Sequence, residues 1–311
     1  MRKSYILSCG SYLPKKIVSN EELSKTIDTS DEWIFTRTGI KNRHIADAEE
    51  TTSFMATEAA KQAISRVPEI ASQIDAVICA TTTPDQIFPS TATKIQSALG
   101  LAKGCAFDLQ AVCSGFLYGL TLADSLIKSG QVTTALVIGA EKMSSIVNWQ
   151  DRGTCVLFGD GAGAVIVSKT ENSQSLIIDS HLCADGDLGC ILYTDDSGIV
   201  MNGREVFRHG IEKMSSEMES LLTAHNLTSA DIDWVIPHQA NLRMITAIAE
   251  RLQVPMEKIV VSLQNQANTS AATIPLALCQ HFNDGKLKRG DLILMAAAGG
   301  GFTWGATLLR W

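Results

Sequence analysis

Aromatic residues make up only 6% of this 311-residue chain, and it has seven prolines. No apolar run approaches the ~20 residues that a membrane-spanning helix needs. Basic residues are outnumbered, 26 Lys and Arg against 33 Asp and Glu, for a net charge of −7. That balance excludes a general nucleic-acid binder, and any anionic ligand needs a local basic patch instead. The eight cysteines, at 9, 79, 105, 113, 155, 183, 190 and 279, form no CxxC pair and no His/Cys cluster with zinc-finger spacing. They read as reduced thiols of a cytosolic protein rather than as a disulfide framework. The apolar stretch before "ILSC" (Ile6 to Cys9) is too short for a signal h-region of about 7–15 residues. A first β-strand ending at "CGSYLP" is expected there.

The chain does have 45% hydrophobic residues and 23 glycines, an ordinary globular composition. Strand-like runs alternate with helical ones: "DAVICATTT", "STATKIQSALG", "CAFDL", "SGFLYGLTLADSLIKSG", "TALVIGAEK". This alternation predicts an α/β protein with mostly buried strands. Within 114–129, Phe116, Leu120, Ala123 and Ile127 fall at helical spacing and Gly130 stops the run. An internal echo adds to this: "QIDAVICATTTPD" (73–85) resembles "DIDWVIPHQANLR" (231–243). About 60 residues after each comes another buried strand, "TALVIGAEK" and "DLILMAAAGGG". Two copies of one α/β unit explain the echo, with a boundary near 170 in "SKTENSQS".

Several residues could carry chemistry. Cys113, in "DLQAVCSGFLYGL", lies between a strand and a helix start. Free N–H groups at a helix N-terminus favour a thiolate, although a small buried thiol packs equally well as a hydrophobe. His238 follows the strand "DWVIP", at the carboxyl edge where α/β sheets gather ligands. Asn265 and Asn268 sit in "SLQNQANTSAATIP" ahead of a helix capped by Thr269 or Ser270. Glycines 299–301 allow close backbone approach to a ligand. The glycines of "FGDGAGAVIV" miss the GxGxxG spacing and read as tight packing.

Together with "DEWIFTRTGIKNRHIA" (31–46), "FPSTA" (88–92), "NWQDRGTCVLFGDGAGA" (148–164), "MNGREVF" (201–207), "IPHQANLR" (236–243), "NTSAATIP" (268–275) and "GGGFTWG" (299–305), these stretches carry a resemblance. The chain resembles, essentially end to end, the β-ketoacyl-acyl-carrier-protein synthase III family, which starts type II fatty acid synthesis. Val112 and Ser114 depart from the family's frequent alanines beside the nucleophile. The resemblance implies a thiolase fold: a duplicated α/β unit in a five-layer αβαβα architecture, with halves at 1–170 and 171–311. It implies a catalytic set of Cys113, His238 and Asn268, and an oxyanion hole from the backbone of Cys113 and Gly300. No metal or other cofactor is implied beyond the CoA thioester substrate.

The implied reaction joins acetyl-CoA, or another short acyl-CoA, to malonyl-acyl-carrier protein through an acyl-Cys113 intermediate. Trp33 and Arg37, four apart on a short helix, face the same way and could sandwich an adenine. Arg152 is a candidate phosphate partner. Met201, Gly203, Phe207, Ala240, Asn241 and Arg243 match positions that line the family's pantetheine tunnel. The docking face for the acidic carrier protein is expected at Gln239, Ala240, Asn241, Leu242, Arg243, Arg208 and Arg251, extended by Arg204 and Lys213 and interrupted by Glu250. A cytoplasmic homodimer is implied, with Phe88 of one subunit closing the primer pocket of the other; neither nucleic acid nor membrane is an expected partner. Rival readings are a ketosynthase of specialised polyketide or quinolone synthesis, a cysteine hydrolase, and a non-catalytic acyl-binding relative.

Overall fold

The computed structural model describes residues 2–101, 104–171 and 174–311. Asn172 and Ser173, in the expected boundary stretch, lie outside them. Two sheets dominate. The first runs in the order Cys105–Leu109, Ala76–Ala80, Thr134–Lys142, Asp160–Thr170, Lys3–Tyr12. The first three of these strands pair in parallel and the last two antiparallel. The second runs Trp234–Pro237, Leu292–Gly299, Thr303–Arg310, Leu176–Ala184, parallel and then antiparallel in the same sequence. Where the first sheet has Cys105–Leu109, the second has only a parallel bridge from Val235 to Ile259. The two echoed segments therefore hold corresponding places in two copies of one topology.

The strands alternate which core they feed, because successive side chains point to opposite faces. In Thr134–Lys142, Ala135 and Val137 enter a central core, while Leu136 and Ile138 enter an outer one. In Leu292–Gly299, Ile293, Met295 and Ala297 face the centre, while Leu292, Leu294 and Ala296 face outward. Both faces being covered, these strands read as unbroken apolar runs.

The central layer is the helix pair Gly115–Ser129 and Thr273–Asn283, packed between the sheets. Phe116, Leu120, Ala123 and Ile127 are fully buried there, and Gly130 caps the first helix at φ 80°, as the apolar spacing predicts. Thr52–Ser65 and Thr91–Ala98 cover one outer face. Gly203–Ala224 and Leu242–Leu252 cover the other. This is the five-layer duplicated arrangement. Glycines 159–163 serve packing: a Cβ on Gly163 would lie 2.7 Å from Pro275 Cβ. The strand Lys3–Tyr12 accounts for the "ILSC" stretch.

Candidate active site

Cys113 sits in the one-turn 3₁₀ segment Val112–Ser114, directly before its helix. Val112 is held at φ 47°, the left-handed region that a β-branched residue rarely adopts. Such strain persists where surrounding structure over-determines it. Gly299, at the end of its strand, supplies part of that surround: a Cβ there would stand 2.5 Å from Cys113 N. Ser114 Oγ, 2.7 Å from both the Ala111 carbonyl and Thr303 Oγ1, ties the turn to the neighbouring strand.

His238 follows the strand Trp234–Pro237, and its N–H donates 2.7 Å to the Ala296 carbonyl. Asn268 is fixed through its backbone: its N–H donates 2.9 Å to the Leu157 carbonyl, and its own carbonyl accepts from Gly159 N at 3.1 Å. The Ser270 N–H donates 2.9 Å to Asn268 Oδ1. That bond assigns the amide's oxygen to the scaffold and leaves Nδ2 as a donor. Cys113, His238 and Asn268, all nearly buried, line one cavity of about 540 Å³. Gly300, Met201, Gly203, Phe207, Ala240 and Asn241 line it too. Asn265, the alternative amide, is exposed and accepts from Asn42 Nδ2 instead.

Burial sets the protonation states. It pushes the Cys113 thiol up to about 12; a Ser270 hydrogen bond pulls the other way, and the Glu141 charge adds to the rise. The thiolate expected from the helix N-terminus is therefore not the resting form, because desolvation of a fully buried group outweighs a helix-end effect. Burial likewise lowers His238 to about 3, so the ring is neutral. Its Nδ1 lies 2.6 Å from Thr273 Oγ1, which also stands 3.0 Å from the Ser270 carbonyl. As that bond stands, the hydroxyl gives its one proton to the carbonyl; turned to Nδ1 instead, it leaves Nε2–H as the ring's free donor.

The residues that surround this group were not foreseen. Glu141 is fully buried at the end of its strand. It accepts from Thr83 Oγ1 at 2.6 Å, from Thr82 Oγ1 and N, and from Ser270 Oγ at 3.0 Å. Ser270 was expected as a helix cap; its hydroxyl goes to Glu141 instead, and the helix Thr273–Asn283 starts without a side-chain cap. The run Thr81–Thr83 after a buried strand was the available signal.

A second cavity of about 400 Å³, lined by Trp33, Arg37, Arg204 and Arg243 among others, shares Leu157, Gly203, Phe207 and Asn241 with the first. The two make one path from surface to thiol. Both Arg37 and Arg152 stack on Trp33, at 4.5 and 4.8 Å from the ring centre. Arg152 also donates to the Asp28 carbonyl at 2.9 Å. Arg243 lies over Phe207 at 5.7 Å. Arg208 pairs with Glu205 at 2.6 Å and Arg251 with Glu219 at 3.2 Å. Among the described residues Arg37, Arg204 and Arg243 make no ion pair.

One expected docking residue is corrected. Gln239 is fully buried, and its amide is used internally by the carbonyls of Pro237 and Val260 and by Ser262 N. It braces the loop and offers nothing to a partner. Phe88 is 83% exposed and does not line its own chain's cavity.

With this geometry in place, comparison with known proteins gives a consistent result. Residues 107–186 match the family model for 3-oxoacyl-[acyl-carrier-protein] synthase III, and residues 222–311 match the model for its C-terminal part. The chain is 54% identical over 318 residues to the β-ketoacyl-[acyl-carrier-protein] synthase III of Ehrlichia canis and 53% identical over 319 residues to that of Wolbachia pipientis, covering all of both chains in each case. The crystal structure of 3-oxoacyl-[acyl-carrier-protein] synthase III from Aquifex aeolicus superimposes with a TM-score of 0.97 at 50% identity, covering 99% of this chain and 100% of that one.

Proposed function

The chain belongs to the 3-oxoacyl-[acyl-carrier-protein] synthase III family and is an initiating condensing enzyme of fatty acid synthesis; we propose that Cys113, His238 and Asn268 divide its two half-reactions between them. In the first, Cys113 Sγ attacks the thioester carbon of acetyl-CoA or another short acyl-CoA, the C–S bond to CoA breaks, and an acyl-enzyme forms. The backbone N–H groups of Cys113 and Gly300 hold the passing oxyanion. In the second, malonyl-acyl-carrier protein loses CO2. The enolate oxygen is met by Asn268 Nδ2 and His238 Nε2–H, both neutral donors, and the carbanion attacks acyl-Cys113 to give the β-ketoacyl product.

The observation that carries this reading is the orientation of Asn268. Its oxygen is committed to Ser270 N, so only its N–H donors are left for the cavity that holds Cys113. A neutral His238 beside it suits enolate stabilisation, since charge then develops against fixed dipoles.

CoA enters past Trp33, Arg37 and Arg152, with Met201, Gly203, Phe207, Ala240, Asn241 and Arg243 along the pantetheine. The acidic carrier protein docks on Arg243 and Arg204, two of the three cations at the mouth without a carboxylate partner among the described residues. Arg208 and Arg251, with Ala240, Asn241 and Leu242, frame that face. The enzyme works as a cytoplasmic homodimer, divided at 170/171 within each chain, and the exposed Phe88 closes the partner's primer pocket. The test is CoA release from a panel of acyl-CoA primers of two to eight carbons, with and without malonyl-acyl-carrier protein. Product formation that depends on both, best with the shortest primers, supports the reading. Thioester hydrolysis without malonyl-carrier protein would replace it with a hydrolase.

A further inference from the structure

Arg43 is completely buried, and among the described residues it makes no ion pair. It lies in the short strand Asn42–His44, opposite Val18 of Ile17–Ser19. Burying a cation away from any carboxylate is costly, and a neutral residue would avoid that cost. What the guanidinium supplies is geometry. Its Nη1 donates 3.1 Å to the Val18 carbonyl. Its Nη2 donates 2.7 Å to Asn20 Oδ1 and 3.2 Å to the Val156 carbonyl. Nε has no partner among the described residues. The surroundings therefore do not use every donor of the group; they use the fork that joins Asn20 to Val156.

Asn20 leads toward the mouth. Its Nδ2 donates 2.9 Å to Asp31 Oδ1 and 2.7 Å to the Ile40 carbonyl. Asp31 opens the helix Asp31–Thr38, which carries Trp33 and Arg37. Val156 leads toward the reacting groups. One residue on, the Leu157 carbonyl accepts from the Asn268 N–H, and Gly159 N–H donates to the Asn268 carbonyl. Phe158 and Asn268 form an isolated bridge rather than a rung of a longer ladder. No neighbouring rung fixes the depth of that pairing, so it depends on what holds residues 156–159. Arg43 holds them from behind. A Cβ on Gly159 would stand 3.3 Å from Arg43 Cβ and 3.4 Å from Ala267 Cβ, which puts the arginine stem beside the residue that precedes Asn268.

We propose that Arg43 is a positioning residue for decarboxylation: through the Val156 carbonyl it holds residues 156–159, and with them Asn268, at a fixed place relative to the mouth helix. This rests on the reading of Asn268 as a donor to the enolate oxygen. Arg43 lines neither cavity and touches no reacting atom. A planar fork with donors in fixed directions suits the task, whereas a lysine ammonium brings the charge without the fork. Placement matters, since a shift of about 1 Å caused far from the chemistry can cost on the order of 10²-fold in rate. Cys113 hangs on other supports: Gly299 packs against its N–H, and Ser114 ties its turn to Ala111 and Thr303. Acyl transfer therefore does not depend on Arg43.

The experiment is a double-mutant cycle on malonyl-thioester decarboxylation. Arg43→Met and Arg43→Lys are each made in wild type and in Asn268→Ala, and single-turnover acetylation of Cys113 at saturating acetyl-CoA is read beside them by intact mass. In wild type, Arg43→Met should slow decarboxylation about 10-fold or more and leave acetylation within about twofold. Arg43→Lys, which keeps the charge and a donor, should fall between the two. In Asn268→Ala neither change should slow decarboxylation by more than about twofold further, because the group being placed is gone. Should Arg43→Met not fold, Arg43→Lys carries the cycle alone. Equal slowing in both backgrounds would overturn the proposal. So would an equal loss of both half-reactions with a fall in melting temperature, or failure of both variants to fold, each of which marks a structural role. Wild-type rates in both variants would overturn it as well. If Asn268→Ala alone leaves decarboxylation unchanged, the reading of Asn268 itself falls, a different result from a slowed Asn268→Ala on which Arg43 acts independently.

Discussion

In the first half of the chain the turn Val112–Ser114 leads into the central helix Gly115–Ser129; in the second, Ser270–Ala272 leads into Thr273–Asn283. Each turn opens on a non-glycine residue in the left-handed region, Val112 at φ 47° and Ser270 at φ 50°. The strand ends that face them have diverged. Thr134–Lys142 carries a buried acid, Glu141, as its penultimate residue, whereas its counterpart Leu292–Gly299 ends on the glycine packed against Cys113 N. After Ala76–Ala80 come three threonines that hold Glu141; after Trp234–Pro237 comes His238. One backbone device thus presents a thiol in one copy and a hydroxyl in the other. Duplication supplied two similar strand-to-helix junctions packed against each other beside the cavity, and separate side chains at each let one copy take the nucleophile and the other the neutral donors.

The hardest test of that division removes the nucleophile. Cys113→Ala should lower condensation by about 10³-fold or more and leave no acetyl adduct on any of the seven remaining cysteines. By position in the turn, Ala271 is the counterpart of Cys113. Ala271 is buried and absent from the cavity wall, so adding Ala271→Cys to Cys113→Ala should restore no adduct. Acetylation at position 271 would show that the two turns are interchangeable and that the division of labour lies elsewhere.

Next in size are the donors. His238→Ala or Asn268→Ala should cost about 10²–10³ in malonyl decarboxylation, the usual effect of deleting one donor to a developing oxyanion. Acetyl transfer to Cys113 should largely survive. If instead acetyl transfer fails while decarboxylation continues, the roles assigned to the two halves are reversed.

Much of this was legible before any coordinates. The helix 115–129 announced itself because Phe116, Leu120, Ala123 and Ile127 recur at its period, and the duplication showed as an echo because equivalent strands face equivalent layers. Cys113, His238 and Asn268 could be singled out by their places at strand ends and in polar stretches, and the family resemblance grouped them. What stayed hidden depends on contacts between distant residues. Glu141, in "GAEK", looks like a charged strand end meeting solvent; it is buried because Thr81–Thr83, about 60 residues earlier, and Ser270, 129 residues later, close over it. Gln239, grouped with the expected docking residues of its motif, points inward to Ser262 and Val260. The thiol's protonation was misjudged because the helix end is visible in the sequence and the desolvation is not.

A smaller effect follows from His238. Its pKa falls from 6.5 in the unfolded chain to about 3 in the fold. Above 6.5 both states are neutral and the contribution is whole. Between 6.5 and about 3 only the unfolded chain takes up the proton, so stability is lost as pH falls. At pH 5 the loss is about 2 kcal/mol. Urea denaturation at pH 7.5 and pH 5 should show it, and His238→Asn should reduce the difference by that amount. An unchanged acid limb in the variant would mean that the ring is not held neutral by burial.

The smallest expected effect compares the two strained turns directly. A left-handed conformation costs an ordinary residue roughly 1–2 kcal/mol, whereas glycine adopts it freely but loses about 0.5–1 kcal/mol more backbone entropy on folding. At Val112 the β-branched side chain gives little back, since it is only half buried against the cavity. Val112→Gly should therefore be slightly stabilising, by roughly 0.5 kcal/mol, or about 1 °C in melting temperature. At Ser270 the side chain does give something back, its bond to Glu141 Oε1. A hydrogen bond to a charged group contributes about 1.5–3 kcal/mol, and Glu141 would be left short of a donor. Ser270→Gly should therefore be destabilising, opposite in sign to Val112→Gly. Thermal unfolding of the two variants beside wild type reads both signs in one experiment. If Val112→Gly lowers the midpoint as Ser270→Gly does, the turn beneath Cys113 stores no strain and its shape is set by packing from Gly299 alone. If it raises the midpoint while slowing acetyl transfer, the strain is what holds the thiol in place.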